Sequence, residues 1–299
     1  MPDIQYSVEP WSSVQRAFSK QAEHFDQNDI GNPILDAWRK RIYAHVERFM
    51  KKESSILEIN AGTGIDALYF VAQGHQVHAT DISAGMVNKI REKVSRTGVH
   101  EALTVQQCSF EALDGVGERK FDYVFSNFGG LNCSRDLGNV SRHLPRLLND
   151  QAFLTWVIMP PVSLWEWSWI LKGRKAAFRR LGNEGAVAHL EGELFHIYYH
   201  SLKTIRGKLG NHFQLVRVEG LGSISPPPAS FEFVKRHESP SPQQRQTCSK
   251  ANRREEGDHQ RSLQSRVEHY EIRAQRAKQQ NDTRGQQASD HRGWDVVAC

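Results

Sequence analysis

The sequence is short of cysteine, with four in 299 residues and none in a Cys-x-x-Cys pair. Cys108, Cys133, Cys248 and Cys299 match no metal-ligand spacing, so no metal site and no disulfide framework are expected. Free thiols point to a reducing, cytoplasmic compartment. No run approaches the ~18 apolar residues of a membrane-spanning helix. Met1 to Pro10 is polar and acidic where a secretory signal needs an apolar stretch. Lys and Arg exceed Asp and Glu by only 39 to 34, and the basic residues gather in the C-terminal stretch and around Lys172–Arg180. With no nucleic-acid motif beneath that charge, no nucleic-acid partner is expected.

What is present divides into unlike parts. Residues 1–53 read as a helical cap. Phe18, Ala22 and Phe25 fall at helical spacing, and a break at Asp29-Ile30-Gly31-Asn32-Pro33 precedes a second stripe from Ile34 to Phe49. Residues 54–237 form the core-building part, and 238–299 are polar with scattered aliphatics, which predicts a disordered tail.

Within the middle part, short apolar runs alternate with helical patterns. Strands are expected at 55–59, 76–80, 103–106, 121–125 and 153–158, and helices at 66–73, 85–96 and 137–148. This rhythm predicts an α/β, Rossmann-like, mostly parallel sheet with helices on both faces. Residues 160–210 break it and read as an insertion after the fifth strand, carrying Trp165, Trp167 and Trp169 beside the basic run. That insertion reads either as a lid on an apolar or anionic substrate or as an amphipathic cover helix. A sixth strand is expected at 213–218. A final antiparallel strand is expected to be missing, since 292–297 is short.

The chemistry gathers at strand ends. The first strand runs into Glu58-Ile59-Asn60-Ala61-Gly62-Thr63-Gly64, where glycine lets backbone approach a ligand before the next helix. The second ends at Asp81, about 17 positions after Gly64, where a carboxylate can accept ribose hydroxyls. The fourth ends at Ser126-Asn127-Phe128-Gly129-Gly130, at the same carboxyl edge. Glu58 decides among nucleotides: a carboxylate repels a pyrophosphate and suits an ammonium group. S-adenosylmethionine carries an ammonium, a ribose and a sulfonium, and no phosphate.

Ile56 to Ala67 resembles motif I of the class I S-adenosylmethionine-dependent methyltransferases, in their bacterial small-molecule branch. Ala79-Thr80-Asp81-Ile82-Ser83 with Met86 resembles the ribose and adenine motif, and Phe121 to Asn132 resembles motif IV. The resemblance implies that Glu58, Asn60, Ala61, Gly62, Thr63 and Gly64 hold the methionine moiety. It further implies that Asp81 takes the ribose, that Ile82 and Met86 flank adenine, and that Asn127 and Phe128 line the methyl donor. Ser109 and Phe110 stand where the family commonly has an acidic residue for the adenine amine, which is a departure. The implied activity is methyl transfer to a small-molecule acceptor. Glu166 and His143 are the candidate general bases, and the chain is expected as a monomer or dimer, with membrane-surface contact left open. Two competitors stand beside this reading: a non-catalytic methyl-donor-binding scaffold and an NAD-linked oxidoreductase, the latter disfavoured by Glu58.

Overall fold

The computed structural model describes residues 10–29, 31–162, 180, 182, 184–222 and 294–298. Three helices lead the chain: α1 (Pro10–Gln21), α2 (Phe25–Asp29) and α3 (Pro33–Val46). Asn32 caps α3, its Oδ1 accepting from Ile34 N at 3.1 Å, and Pro33 supplies a residue pre-set for the first turn. Then come β1 (Ser55–Ile59), α4 (Ile65–Ala72), β2 (Gln76–Asp81), α5 (Ala84–Thr97), β3 (Leu103–Gln107) and β4 (Phe121–Ser126). Two single-turn helices follow, α6 (Gly138–Ser141) and α7 (Leu144–Leu147), then β5 (Leu148–Ile158). A hairpin of β6 (Ala186–Leu190) and β7 (Glu193–Ile197), helix α8 (Leu202–Leu209), β8 (Leu215–Gly220) and β9 (Trp294–Ala298) complete the described elements.

Seven strands form one sheet in the order β3-β2-β1-β4-β5-β9-β8. Each pairing within it is parallel. Both faces are covered, which is why β1 and β4 read as mostly apolar runs, broken only by Glu58 and Asp122 and flanked by Ser55 and Ser126. On one face Ile56, Tyr123 and Phe125 pack with Ile42 and Val46 of α3 and Ala67 and Phe70 of α4. On the other, Leu57, Val124 and Trp156 pack with Val140, Leu144, Ile205 and Leu209. The strand order reverses between β1 and β4, so their carboxyl ends open the crevice where such sheets take ligands. No helix among the described residues is long and apolar enough to cross a membrane.

Three elements differ from the sequence reading. The helix expected at 137–148 is two separate turns, because Pro145 has no N–H to give and sits at the start of the second turn. The fifth strand reaches back to Leu148 across a bulge: Phe121 pairs with Leu148 but Tyr123 with Phe153, and Gln151 takes a left-handed φ of 64°. The stretch read as a polar tail supplies β9, seated parallel between β5 and β8. The described sheet thus has no antiparallel strand, and the place next to β5 is filled.

The insertion contains an unforeseen antiparallel hairpin. Its two-residue turn, Glu191-Gly192, has both φ angles positive at 50° and 79°, the backbone of a type I′ turn. The hairpin lies on α1, with Phe195 5.9 Å from Phe18 between ring centroids and Glu193 bridging Arg16 and Lys20, each at 2.9 Å. Trp165, Trp167, Trp169 and the basic run up to Arg179 lie outside the described residues, as do the tail before β9 and Glu166.

Ser83 opens α5. Its backbone is extended, its Oγ accepts from Met86 N at 3.2 Å, and it meets Ser19 Oγ of α1 at 2.9 Å. Removing a side-chain cap costs about 1 kcal/mol. Ser83→Ala is therefore expected to lower stability by ~1 kcal/mol in a urea melt, with an unchanged slope. An unchanged midpoint would show that the cap contributes nothing.

Candidate active site at the β1–β4 crevice

The chain leaves β1 through Asn60, whose φ of 54° is left-handed, and turns through Gly62 (57°) and Gly64 (79°) into α4. Asn60 accommodates this because its amide is gripped locally: Nδ2 donates to Asn127 O at 3.1 Å and Oδ1 accepts from Ser126 Oγ at 2.5 Å. Gly64 faces Ile90 of α5, where a Cβ would stand 3.0 Å from Cγ1. Gly130 is under tighter constraint, since a Cβ there would lie 2.5 Å from the Asn60 amide. The two loops, after β1 and after β4, thus interlock at the switch point.

Glu58 ends β1 with its side chain 2% exposed. Its Oε2 is buried without a hydrogen-bond partner among the described residues. Burial pushes the Glu58 carboxyl well above the usual range; Asp66 and Asp81 push the same way, and Arg39 opposes them. Asp81 ends β2, and burial raises its carboxyl to about 6 against the backbone N–H groups of Ser83 and Gly62 that hold it. Those bonds are 2.8 Å and 2.9 Å long. The Gly62 bond ties the β2 carboxylate to the glycine turn itself.

Around this pair lies a buried ionic network that the sequence did not reveal. Arg39 of α3 binds Asp29 through Nη1 at 2.5 Å and Nη2 at 2.9 Å, and Asp66 through Nε at 2.8 Å. Asp66 also takes the Tyr43 hydroxyl at 2.5 Å and, on its other oxygen, Asn127 Nδ2 at 2.8 Å. Asp26 of α2 joins Thr63 Oγ1 at 2.5 Å and Lys93 Nζ at 2.7 Å. Lys93 Nζ also donates to Thr63 O at 2.9 Å. Two cations, Arg39 and Lys93, therefore stand against Asp26, Asp29 and Asp66, with the raised carboxyls of Glu58 and Asp81 beside them, so acidic groups outnumber basic ones at the crevice. A phosphate is repelled there and a cation is attracted. The signal for this network was in the helix stripes. Arg39 shares one face with Ile42, Tyr43 and Val46, and Lys93 shares one with Met86, Ile90, Val94 and Thr97, and a charge inside an apolar stripe needs a buried partner.

The other expected site residues are placed as follows. Ala61 is buried, and its N–H bonds to Thr80 O at 3.0 Å. Ile82 is half-buried next to Asp81, and Met86 is buried beneath it in α5. Phe110 is buried against Trp11 of α1, edge to face at 5.2 Å. Ser109 Oγ accepts from Glu111 N at 3.2 Å, a local turn. Phe128 has a left-handed φ of 48°, and its N–H is taken by Asn127 Oδ1 at 2.8 Å. Asn60, Gly62, Asp81 and Asn127 come together through the hydrogen bonds just described. His143 stands apart from them, with Nε2 on Glu111 O at 3.0 Å and Nδ1 3.5 Å from Asp114, the position of a structural histidine.

α1 and α2 roof the crevice. Phe25 lies 3.8 Å from where a Cβ on Gly62 would be, so a side chain there would meet the roof. Cys133, a free thiol, lies beneath α1, and burial pushes it up to about 12, with the Asp81 charge adding. At that value it is no nucleophile at neutral pH.

A methyltransferase-domain family model matches residues 56–151. A demethylmenaquinone methyltransferase of Bacteroides fragilis is 27% identical over 161 residues, covering 50% of this chain and 64% of that protein. The match thus spans less than two thirds of the relative's length. Among solved structures, the chain is similar to a 1,6-didemethyltoxoflavin-N1-methyltransferase of Burkholderia thailandensis at TM-score 0.46 and 18% identity, over 70% of this chain and 80% of that one. It is also similar to an S-adenosylmethionine-dependent methyltransferase of Methanosarcina mazei at TM-score 0.41 and 17% identity, over 52% and 78%. Residues 56–151, from β1 into the start of β5 on a sheet that reverses at the glycine turn, thus carry a methyltransferase domain.

Proposed function

We propose that this chain binds S-adenosylmethionine and transfers its methyl group to a small-molecule acceptor by in-line displacement. One observation carries the reading: a buried carboxylate, Glu58, with an oxygen lacking a partner, beside a second buried carboxylate, Asp81, at the switch point of the sheet. The first suits an ammonium and the second a pair of ribose hydroxyls. The excess of acidic groups around both speaks against a dinucleotide and its pyrophosphate.

Bound here, S-adenosylmethionine supplies a methyl group already activated on a sulfonium. The chain's own residues then have to bind, orient and exclude water. Glu58 and the Asn60–Gly64 turn hold the amino-acid end, and Asp81 the ribose. Ile82, Met86 and Phe110 give the apolar wall for adenine, with Ser109 committed to its own turn. Asn127 and Phe128 line the side facing the acceptor. The roof of α1 and α2, with the hairpin behind it, closes off solvent. In such a displacement the acceptor would take the methyl carbon, S-adenosylhomocysteine would be the leaving thioether, and the acceptor's proton would pass to solvent. His143 is occupied structurally, and Glu166 lies outside the described residues.

The relative named for demethylmenaquinone supports a small organic acceptor as the class. The free Cys108 and Cys133 fit a cytoplasmic protein. A second reading, a methyl-donor-binding scaffold without turnover, is kept by the lack of an acid at Ser109. Label transfer separates the two. With methyl-labelled S-adenosylmethionine and a metabolite extract, the proposed enzyme yields a labelled small molecule, whereas a scaffold binds and yields none.

A further inference from the structure

Arg39 lies at the junction of three parts of the crevice. Its two Nη atoms grip Asp29 at the end of α2, its Nε grips Asp66 in α4, and its guanidinium lies 4.8 Å from the centroid of the Phe128 ring. Asp66 carries the connection on to Asn127. Phe128 holds a left-handed backbone that an aromatic residue rarely adopts, and such a conformation persists only where its surroundings fix it. The fixing contacts are the Asn127 side chain on its N–H and the Arg39 plane against its ring. Lysine could not replace this, since one ammonium cannot hold Asp29 bidentately, reach Asp66 and cover a ring at once.

We propose that Arg39 is the positioning residue of the methyl-donor site: through Asp66 and Phe128 it sets the loop after β4, and through Asp29 it ties α2 to that loop, so that roof docking and methyl-donor binding are coupled. This rests on the functional reading above. Arg39, Asp66 from α4 and Asp81 from β2 all act electrostatically on Glu58, and Tyr43 donates to the same Asp66 oxygen that Arg39 holds. As the single cation in that group, it helps Glu58 ionise.

The test is titration of the full chain with S-adenosylhomocysteine between pH 5 and 8, well below the melting temperature, for wild type, Arg39→Met and Arg39→Lys. Arg39→Met is expected to weaken binding roughly 10-fold, the order by which a residue acting through others modulates a site, and to move the acid limb of binding to higher pH. Arg39→Lys restores the acid limb, because the charge is back, but not the affinity. With an acceptor in hand, KM for the methyl donor rises more than kcat falls. Asp29→Asn is the second variant; it keeps shape, leaves Asp66 paired and is expected to weaken binding several-fold. Variants that melt earlier yet bind with wild-type affinity and acid limb overturn the proposal and make Arg39 purely structural. Wild type that fails to bind S-adenosylhomocysteine overturns the functional reading itself and the proposal with it.

Discussion

Glu58→Gln is expected to weaken S-adenosylmethionine binding by about 100-fold or more while leaving the ligand-free protein at least as stable as wild type. Both halves follow from one oxygen. In the ligand-free chain, Glu58 Oε2 is buried with nothing to bond among the described residues, so a charge there costs free energy. In the complex, the same carboxylate faces an ammonium in a desolvated site, and removing one partner of such a pair typically costs about 2–5 kcal/mol. The pH dependence carries the same sign. A carboxyl raised in the folded state stabilises the fold fully below its unfolded value of about 4.3, and that contribution is lost as pH climbs through the raised value. Methyl-donor binding needs the ionised form and therefore strengthens over the same climb. Glu58→Gln should flatten both trends, read by calorimetric titration and by thermal melts across pH. An affinity within a few-fold of wild type would remove Glu58 from the site.

Asp81→Asn is expected to reduce affinity by the same order, ~100-fold, for a different reason. Asparagine keeps one acceptor and turns the other into a donor. It therefore loses either Gly62 N–H or Ser83 N–H as well as a ribose hydroxyl. Because burial raises Asp81 to about 6, wild-type affinity should fall as pH drops through 6. For the fold alone the sign is opposite: the Asp81 contribution is complete below its unfolded value of about 3.9 and is lost as pH rises through about 6. The melting shift produced by S-adenosylhomocysteine should consequently grow between pH 5 and 8. A shift that is constant across that range would contradict the assignment of both carboxylates.

The sheet from β1 to β5 was legible because each strand was a short apolar run closed by a turn or cap residue, and each helix between carried a one-sided stripe. Legibility ended where the determinants are not local. The β6–β7 hairpin turns on Glu191-Gly192, a weak turn signal, and its strands bury only one side against α1. The strand β9 is a five-residue run in a polar stretch, and its place depends on β5 and β8, which lie far away in sequence. Helix 137–148 was over-read because the apolar spacing outweighed Pro145. At the site, the strand-end residues Glu58, Asp81 and Asn127 were readable from position. Arg39, Asp29, Asp66, Asp26 and Lys93 were not, because partners as far apart as Asp26 and Lys93 in sequence meet only after folding. Each of these five sits on a helix, three of them in α2 and α3, the segment read only as a cap.

The central claim is that the crevice is built for a cationic amino acid on a ribose and not for a phosphate. Calorimetric titration of the full chain at pH 8 with S-adenosylhomocysteine, with its analogue lacking the amino group, and with NAD tests this most directly. The account predicts saturable binding of the first, at least ~10-fold weaker binding of the second and no binding of the third. Binding of NAD, or equal affinity with and without the amino group, would contradict it.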